Sequence, residues 1–359
     1  MTTAVQALLA PLAGLYGLGA YARLLSYSLG IKSRKKADAF VLSVGNLTVG
    51  GTGKSPVVID IAARLSRRGL KVAVLSRGYG RRGKTPYVVV SDGSGKPRCS
   101  VEESGDEPYL IATAVPAACV IVGASRVQTQ ALAIQKYGAE VLILDDGFQH
   151  LPMERDMDLV LWDYNDDPGT AKLLPAGRLR EPFSALSRAS HIVVTKVPEV
   201  PDQAYLEGLL KTLRSYNPEA EMSTVSFLID CVVNALDLGR SLPPSELSGK
   251  RWLALSAIAR PESFQASLRQ LALDVVEVMT RPDHSWFSER DIRQLSAALE
   301  SGSVDGVITT EKDLVRLLYT GDEMRRQQLS KVSSKIYALR QSTVWHEEAE
   351  PAFLTRIKA

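Results

Sequence analysis

From residue 38 onward, short unbroken apolar runs alternate with stretches whose apolar residues recur every three or four positions. "AFVLSVG" (39–45), "KVAVLS" (71–76), "YVVVS" (87–91), "CVIVG" (119–123), "EVLILDD" (140–146), "LVLWD" (159–163) and "HIVVTK" (191–196) predict strands. "PVVIDIAARLSRRG" (56–69), 107–114 and 126–137 predict helices between them. Pro56 suits a first helical turn, and Gly69 lies near a helix C-terminus. Strands that are apolar throughout, separated by helices, predict an α/β fold with a mostly parallel sheet covered on both faces. Ligands on such sheets gather at the C-terminal ends of the strands. Around 215–250 the texture changes to strands and a Pro/Ser-rich stretch, "RSLPPSELSGK". A second run of strands and helices then predicts a smaller α/β lobe. The expected division is 1–37, an apolar helix with a basic cluster; 38–222, the main α/β domain; 223–250, linker strands; and 251–359, the smaller lobe.

The first 22 residues carry no charge. Arg23 interrupts the apolar run, and Lys32, Arg34, Lys35 and Lys36 follow it. A cleavable signal needs a charged segment before its apolar core, and none is present. The length would allow a membrane span of about 20 residues, but Pro11, Gly14, Gly17 and Gly19 dilute the segment. A helix lying in the membrane interface, with cations facing anionic headgroups, fits better than a span or a buried soluble helix. Over the whole chain the 359 residues are 45% apolar and 23% charged, the balance of an ordinary globular protein. A net charge of +3 gives no argument for nucleic acid. Cys99, Cys119 and Cys231 are scattered, with no metal-binding spacing, so neither a disulfide framework nor a cysteine metal site is expected.

The strongest local signal is "SVGNLTVGGTGKSP" (43–56), between a predicted strand and a predicted helix. The loop Thr48, Val49, Gly50, Gly51, Thr52, Gly53, Lys54, Ser55 reads as a P-loop, although Thr48 stands where the usual spacing has glycine. Glycines let backbone N–H groups curl around phosphate oxygens, and the helix N-terminus adds a favourable dipole. Lys54 would meet the β- and γ-phosphates, and the Ser55 hydroxyl would ligate Mg²⁺. A second motif, "EVLILDDGFQH" (140–150), ends an apolar strand in Asp145 and Asp146, as in elements that hold Mg²⁺ directly or through water.

Other segments are less specific alone. In "SGDEPYLIA" (104–112), Asp106 and Glu107 open a helix, as cap residues or as a carboxylate that deprotonates an attacking hydroxyl. "LLPAGRLREP" (173–182) offers Arg178, Arg180 and Glu181 in a loop: an arginine for the transferring phosphoryl group, and a carboxylate for the Mg²⁺ shell. "RPDHSWFSERDI" (281–292) carries Asp283 and His284, a relay or a cap. Thr195 and Lys196 end a strand where P-loop proteins read the base. The guanine-reading pattern has Asp two residues after the lysine; Pro198 stands there, which favours ATP over GTP. "GVITTEKDLVRL" (306–317) carries Glu311, Lys312 and Asp313.

In order along the chain, "SVGNLTVGGTGKSP", "LSRGYGRR", "GDEPYLIA", "LILDDGFQH", "LLPAGRLREP", "VVTK", "PDHSWF" and "TTEKDLVRL" together resemble one family, tetraacyldisaccharide 4'-kinase, the lipid A 4'-kinase. The resemblance covers about residues 8–317, and Thr48 agrees with that family's own variant P-loop. Ser55 replaces a more usual threonine, and Ser285 stands where many members have a second histidine. The resemblance implies ATP-dependent phosphorylation of the 4'-hydroxyl of a four-chain acylated glucosamine disaccharide, at the cytoplasmic face of the bacterial inner membrane. It implies Asp106 as base with His284 as its partner, and Lys54 and Arg180 on the phosphates. Ser55, Glu181 and Asp145 are implied for Mg²⁺, and Arg77, Arg126, Asp145, Asp146 and His150 as substrate contacts. The implied partners are the lipid substrate and the membrane surface, with no nucleic acid and no obligate protein. A regulatory or maturation NTPase would use the same Lys54, Ser55 and Asp145. It gives no reason for the apolar N-terminus or for Asp106 with His284.

Overall fold

Apolar strands need cover on two faces, and a computed structural model shows how the chain supplies it. The structure describes residues 3–83, 85–346 and 351–357; Met1 and Thr2 of the expected leader lie outside them. The chain forms two units. One comprises Met1–Arg77, Ala117–Phe227 and Thr343–Ala359; the other Gly78–Pro116 and Leu228–Ser342.

In the first unit the Phe40–Asn46 strand is flanked by Val141–Asp145 on one side and Met157–Asp163 on the other, both parallel to it. Beyond Val141–Asp145 lie Val72–Ser76 and then Cys119–Gly123; beyond Met157–Asp163 lie His191–Thr195 and the start of Glu221–Asn234. All these neighbours run parallel, as the unbroken apolar runs predict. Helix Lys54–Arg67 buries Val57, Val58, Ile61, Ala62 and Leu65, a period near four that gives one apolar face. Helix Gln203–Tyr216 buries Leu206, Leu209 and Leu213 at the same period. Because the central strands are parallel, the loop after Asn46 and the Asp145–Asp146 turn leave the sheet at the same edge.

The apolar leader is helix Thr3–Ser28, long and apolar enough by composition to cross a membrane. Its inner face is small or polar. Ala13 is buried, Tyr16 donates to the Arg180 carbonyl at 3.0 Å, and Arg23 donates to the Gln149 carbonyl at 3.3 Å. A Cβ on Gly17 would come within 2.9 Å of Leu173. Leu8, Leu12, Leu15, Leu18 and Tyr21 are exposed.

In the second unit four parallel strands run in the order Asp274–Thr280, Arg251–Ser256, Gly306–Thr310, Ile336–Trp345. Val233, Leu253, Leu255, Ile292, Leu295, Val307 and Leu314 form one side of its core.

The division differs from the expected boundaries. Residues 78–116 cluster with the smaller lobe, and 343–359 return to the first unit. There Trp345 Nε1 donates to Asp60 at 2.9 Å and Arg68 caps the Leu354 carbonyl at 2.6 Å. The stretch 223–250, expected as linker strands, does form strands: Val232 and Val233 pair antiparallel with Leu242 and Ser241, and a 3₁₀ turn spans Pro244–Leu247. The physical cause is that Glu221–Asn234 and Ile336–Trp345 are long strands that pass from one unit into the other. Hydrophobic pattern has no signal for a unit boundary inside a strand.

Candidate functional site

Two groups of charged side chains emerge, one in each unit. In the first unit, the glycine-rich loop is bound to 178–180: Val49 N donates to Arg178 O and Arg180 N to Leu47 O, each at 2.7 Å. Thr48 bridges Leu179 in extended conformation, so this position makes no demand for glycine. Two glycines are demanded. Gly53 caps the Lys54–Arg67 helix at φ +83°, and a Cβ there would lie 2.3 Å from the Phe227 ring. Gly50 has φ +112°, and a Cβ would lie 2.6 Å from the Arg178 guanidinium.

Asn46 organises the loop's cations. Its Nδ2 donates to Thr52 Oγ1 at 2.9 Å, and its Oδ1 accepts from Lys54 Nζ at 3.3 Å and from Arg180 Nη2 at 2.5 Å. Arg180 also grips Asp146 with two bonds of 2.9 Å, and Lys54 Nζ lies 3.5 Å from the same carboxylate. Burial pushes Asp146 up, but Arg180 and Lys54 outweigh it and hold the group at about 2. Its side chain is still 39% exposed, so solvent screens these pairs. A paired lysine and arginine at a helix N-terminus can meet a polyphosphate and the charge developing on it.

Asp145 points elsewhere. It is buried and accepts from Ser76 Oγ at 2.9 Å, while Arg126 donates to its carbonyl at 3.3 Å. Arg126 is buried too, its pKa lowered by burial against the pull of Asp145 and Asp146. His150 falls to about 4 through burial and the nearby Arg126, Arg155, Arg23 and Arg77, so it is neutral at pH 7. Arg77, Arg126 and His150 thus share one cationic neighbourhood.

Glu181 forms an ion pair of 2.8 Å with Arg188. Ser55 opens the Lys54–Arg67 helix. Among the described residues no group of three or more His, Cys, Asp or Glu is gathered as for a metal. A hydroxyl with one or two carboxylates still fits Mg²⁺, which keeps waters and takes phosphate oxygens. Thr195 and Lys196, expected near the base, hold the loop: Thr195 Oγ1 donates to Thr52 O at 2.8 Å, and Lys196 binds Gly51 O and, at 2.6 Å, Asp163.

In the second unit Asp106 opens helix Asp106–Ala114. Its Oδ1 accepts the Glu107 N–H at 3.0 Å, and its Oδ2 lies 3.0 Å from His284 Nδ1. Lys312 Nζ and Arg316 Nε each lie 3.6 Å from the same oxygen. Burial pushes Asp106 up, yet the His284 hydrogen bond, Lys312 and Arg316 bring it to about 2. His284 is raised from its ordinary value by Asp106, against burial and Lys312. It sits at φ +59°, held by its N–H to the Ala257 carbonyl at 3.3 Å. Arg316 fixes this turn by donating to Ala257 O at 2.8 Å and Ser285 O at 3.1 Å, and pairs with buried Asp313 at 2.5 Å. The expected pair of Asp106 and His284 is therefore present, 178 residues apart in sequence. Sequence reading assigned no role to Asn46, Lys312, Asp313 or Arg316. "EKDLVR" did carry a signal, since Lys312, Asp313 and Arg316 share a helical face at three- and four-residue spacing.

Parallel sheet, glycine-rich loop and gathered lysine and arginine define a P-loop protein with a kinase-like α/β unit. Residues 5–358 match the family model described as tetraacyldisaccharide-1-P 4'-kinase. Tetraacyldisaccharide 4'-kinase from Anaeromyxobacter sp. (strain Fw109-5) is 41% identical over 313 residues, 86% of this chain and 83% of the relative. The enzyme of that name from Geobacter metallireducens is 40% identical over 87% of this chain and 89% of its own. The crystal structure of "apo" form LpxK from Aquifex aeolicus in complex with ATP superposes with a TM-score of 0.76 at 29% identity, covering 98% of each chain. The chain belongs to the tetraacyldisaccharide-1-P 4'-kinase family, and it is a kinase.

Proposed function

We propose that the chain transfers the γ-phosphoryl group of ATP to the 4'-hydroxyl of a tetraacylated glucosamine disaccharide 1-phosphate, a step of lipid A biosynthesis. The observation that carries this reading is the set of Asn46, Lys54, Asp146 and Arg180 around the glycine-rich loop. Loop N–H groups and Lys54 bind the phosphates, and Arg180 meets the charge that develops on the transferring group. Ser55 would hold Mg²⁺, with Glu181 and the Asp145/Asp146 pair as further candidates, and the ion would neutralise charge on the phosphates. Asp106 takes the hydroxyl proton as the sugar oxygen bonds to phosphorus and the bridge to ADP breaks. At about 2 it is fully ionised at pH 7 but a weak base. That suits a loose transition state, in which the hydroxyl proton moves late. His284 orients the carboxylate. Arg77, Arg126 and His150 line the lipid headgroup's approach.

The substrate's acyl chains favour an enzyme that comes to the bilayer, since each buried CH₂ is worth about 0.8 kcal/mol. The exposed leucines of helix Thr3–Ser28 support docking on a bilayer, and we place that docking at the cytoplasmic face of the inner membrane, as a peripheral or monotopic enzyme. The test is transfer of ³²P from ATP to the disaccharide lipid in detergent micelles. Loss of transfer in Lys54→Ala and Arg180→Ala is expected; transfer to no lipid acceptor by the wild-type chain would sink the reading.

A further inference from the structure

Lys312 does more than balance charge. Its Nζ lies 3.2 Å from His284 Nε2, 3.3 Å from Glu107 Oε1 and 3.6 Å from Asp106 Oδ2. An ammonium has only hydrogens to give, so His284 Nε2 must accept. That leaves the imidazole proton on Nδ1, 3.0 Å from Asp106 Oδ2. We propose that Lys312 is a positioning residue that fixes His284 as its Nδ1–H tautomer and blocks Nε2, so that His284 orients Asp106 and does not relay its proton. This deepens the proposed function and rests on its assignment of Asp106 as base. The charged groups that act on His284 are Asp106, Lys312 and Asp283. Asp106 and Lys312 lie on separate helices, and their own partners are Glu107 for Lys312 and Arg316, itself paired with Asp313, for Asp106. Asp283 reaches only to 3.8 Å of Nε2, and the Tyr79 ring stands edge-on at 5.9 Å. Of these, Lys312 alone sits within hydrogen-bond distance of Nε2. A second ring proton must therefore displace it. Arg316 is tied to Asp313, Ala257 and Ser285, and is not free to take its place.

Histidine-selective ¹⁵N NMR of the full chain reads the tautomer directly, with the His284 signal assigned by its loss in His284→Gln. Above its titration range the wild type should show Nδ1–H with an unprotonated Nε2. In Lys312→Met, protonation of Nε2 should begin about one pH unit higher, and the acid limb of kcat/KM should move up with it, a loss of about tenfold at a fixed pH on that limb. Lys312→Arg, which keeps the donor, should restore both. Lys312→Gln provides the same reading should the methionine variant fold poorly. A His284 titration and acid limb unmoved in the neutral variants would overturn the proposal. Full turnover in Asp106→Asn would instead remove the base assignment, so the two failures are distinct.

Discussion

Replacing Asp106 by Asn keeps the side chain's shape and removes the charge on which His284, Lys312 and Arg316 converge. The carboxyl is about 2 in the folded chain against an ordinary 3.8. A depressed acid contributes stability that is complete above 3.8 and is lost as pH falls through 2. At about 1.36 kcal/mol per unit, the ionised carboxylate is worth about 2 kcal/mol at pH 7. The side chain is only 7% exposed, so screening takes little from this figure. By the same linkage roughly half remains at pH 3. Because the chain has two units, a single global unfolding curve would mix them. Native-state hydrogen exchange of the Gly306–Thr310 amides reports on the second unit itself. Asp106→Asn should lower their opening free energy by about 2 kcal/mol at pH 7 and by about half that at pH 3. Turnover should fall by about 10²–10⁴-fold, the usual contribution of a general base. A stability difference that stays constant from pH 7 to 3 would refute the charge argument, and unchanged turnover would refute the catalytic one.

Asn46→Ala removes the shared acceptor of Lys54 and Arg180 and the donor to Thr52; ATP affinity by calorimetry should drop about tenfold, one to two hydrogen bonds' worth. His150 is held near 4 by burial and its arginine neighbours, so its contribution is whole above 6.5 and is lost as pH falls from 6.5 to 4. In His150→Gln the decline in stability over that window should flatten by about 1–3 kcal/mol, after allowance for solvent, in native-state hydrogen exchange of the Phe40–Asn46 amides of its own unit at each pH. Leu12, Leu15 and Leu18 changed together to Ser should release the chain from vesicles in a flotation assay while ³²P transfer in detergent persists; vesicle binding at the wild-type level would refute helix docking.

Much of this was legible because local chemistry and local structure coincide. Parallel strands are apolar runs by necessity, and Gly53–Lys54 marks a strand-to-helix turn whose backbone only glycine accepts. The pair Asp106 and His284 was reachable through family resemblance, since no periodicity links residues in separate helices and loops. Asn46 was silent because an asparagine at a strand end looks like any turn residue until its three partners are present. Lys196 shows its part in holding the loop only in three dimensions: a strand-end lysine fits base reading and loop anchoring equally well, and the bonds to Asp163 and Gly51 O appear only with the fold. Glu181, too, shows its commitment to Arg188 only in three dimensions.

Asp146 gives the loop an occupant of its own. Lys54 and Arg180 both face a carboxylate a few ångströms away, and Asn46 Oδ1 accepts from each of them as well. Any anion that enters must displace or share this resident competitor. Small monovalent anions such as chloride or acetate offer too little charge to do so in a solvent-screened setting. A polyphosphate, with several charges and the loop's N–H groups to receive them, offers enough. A rival carboxylate built into the chain therefore tilts the competition toward highly charged anions over monovalent ones, without any need for a narrow entrance.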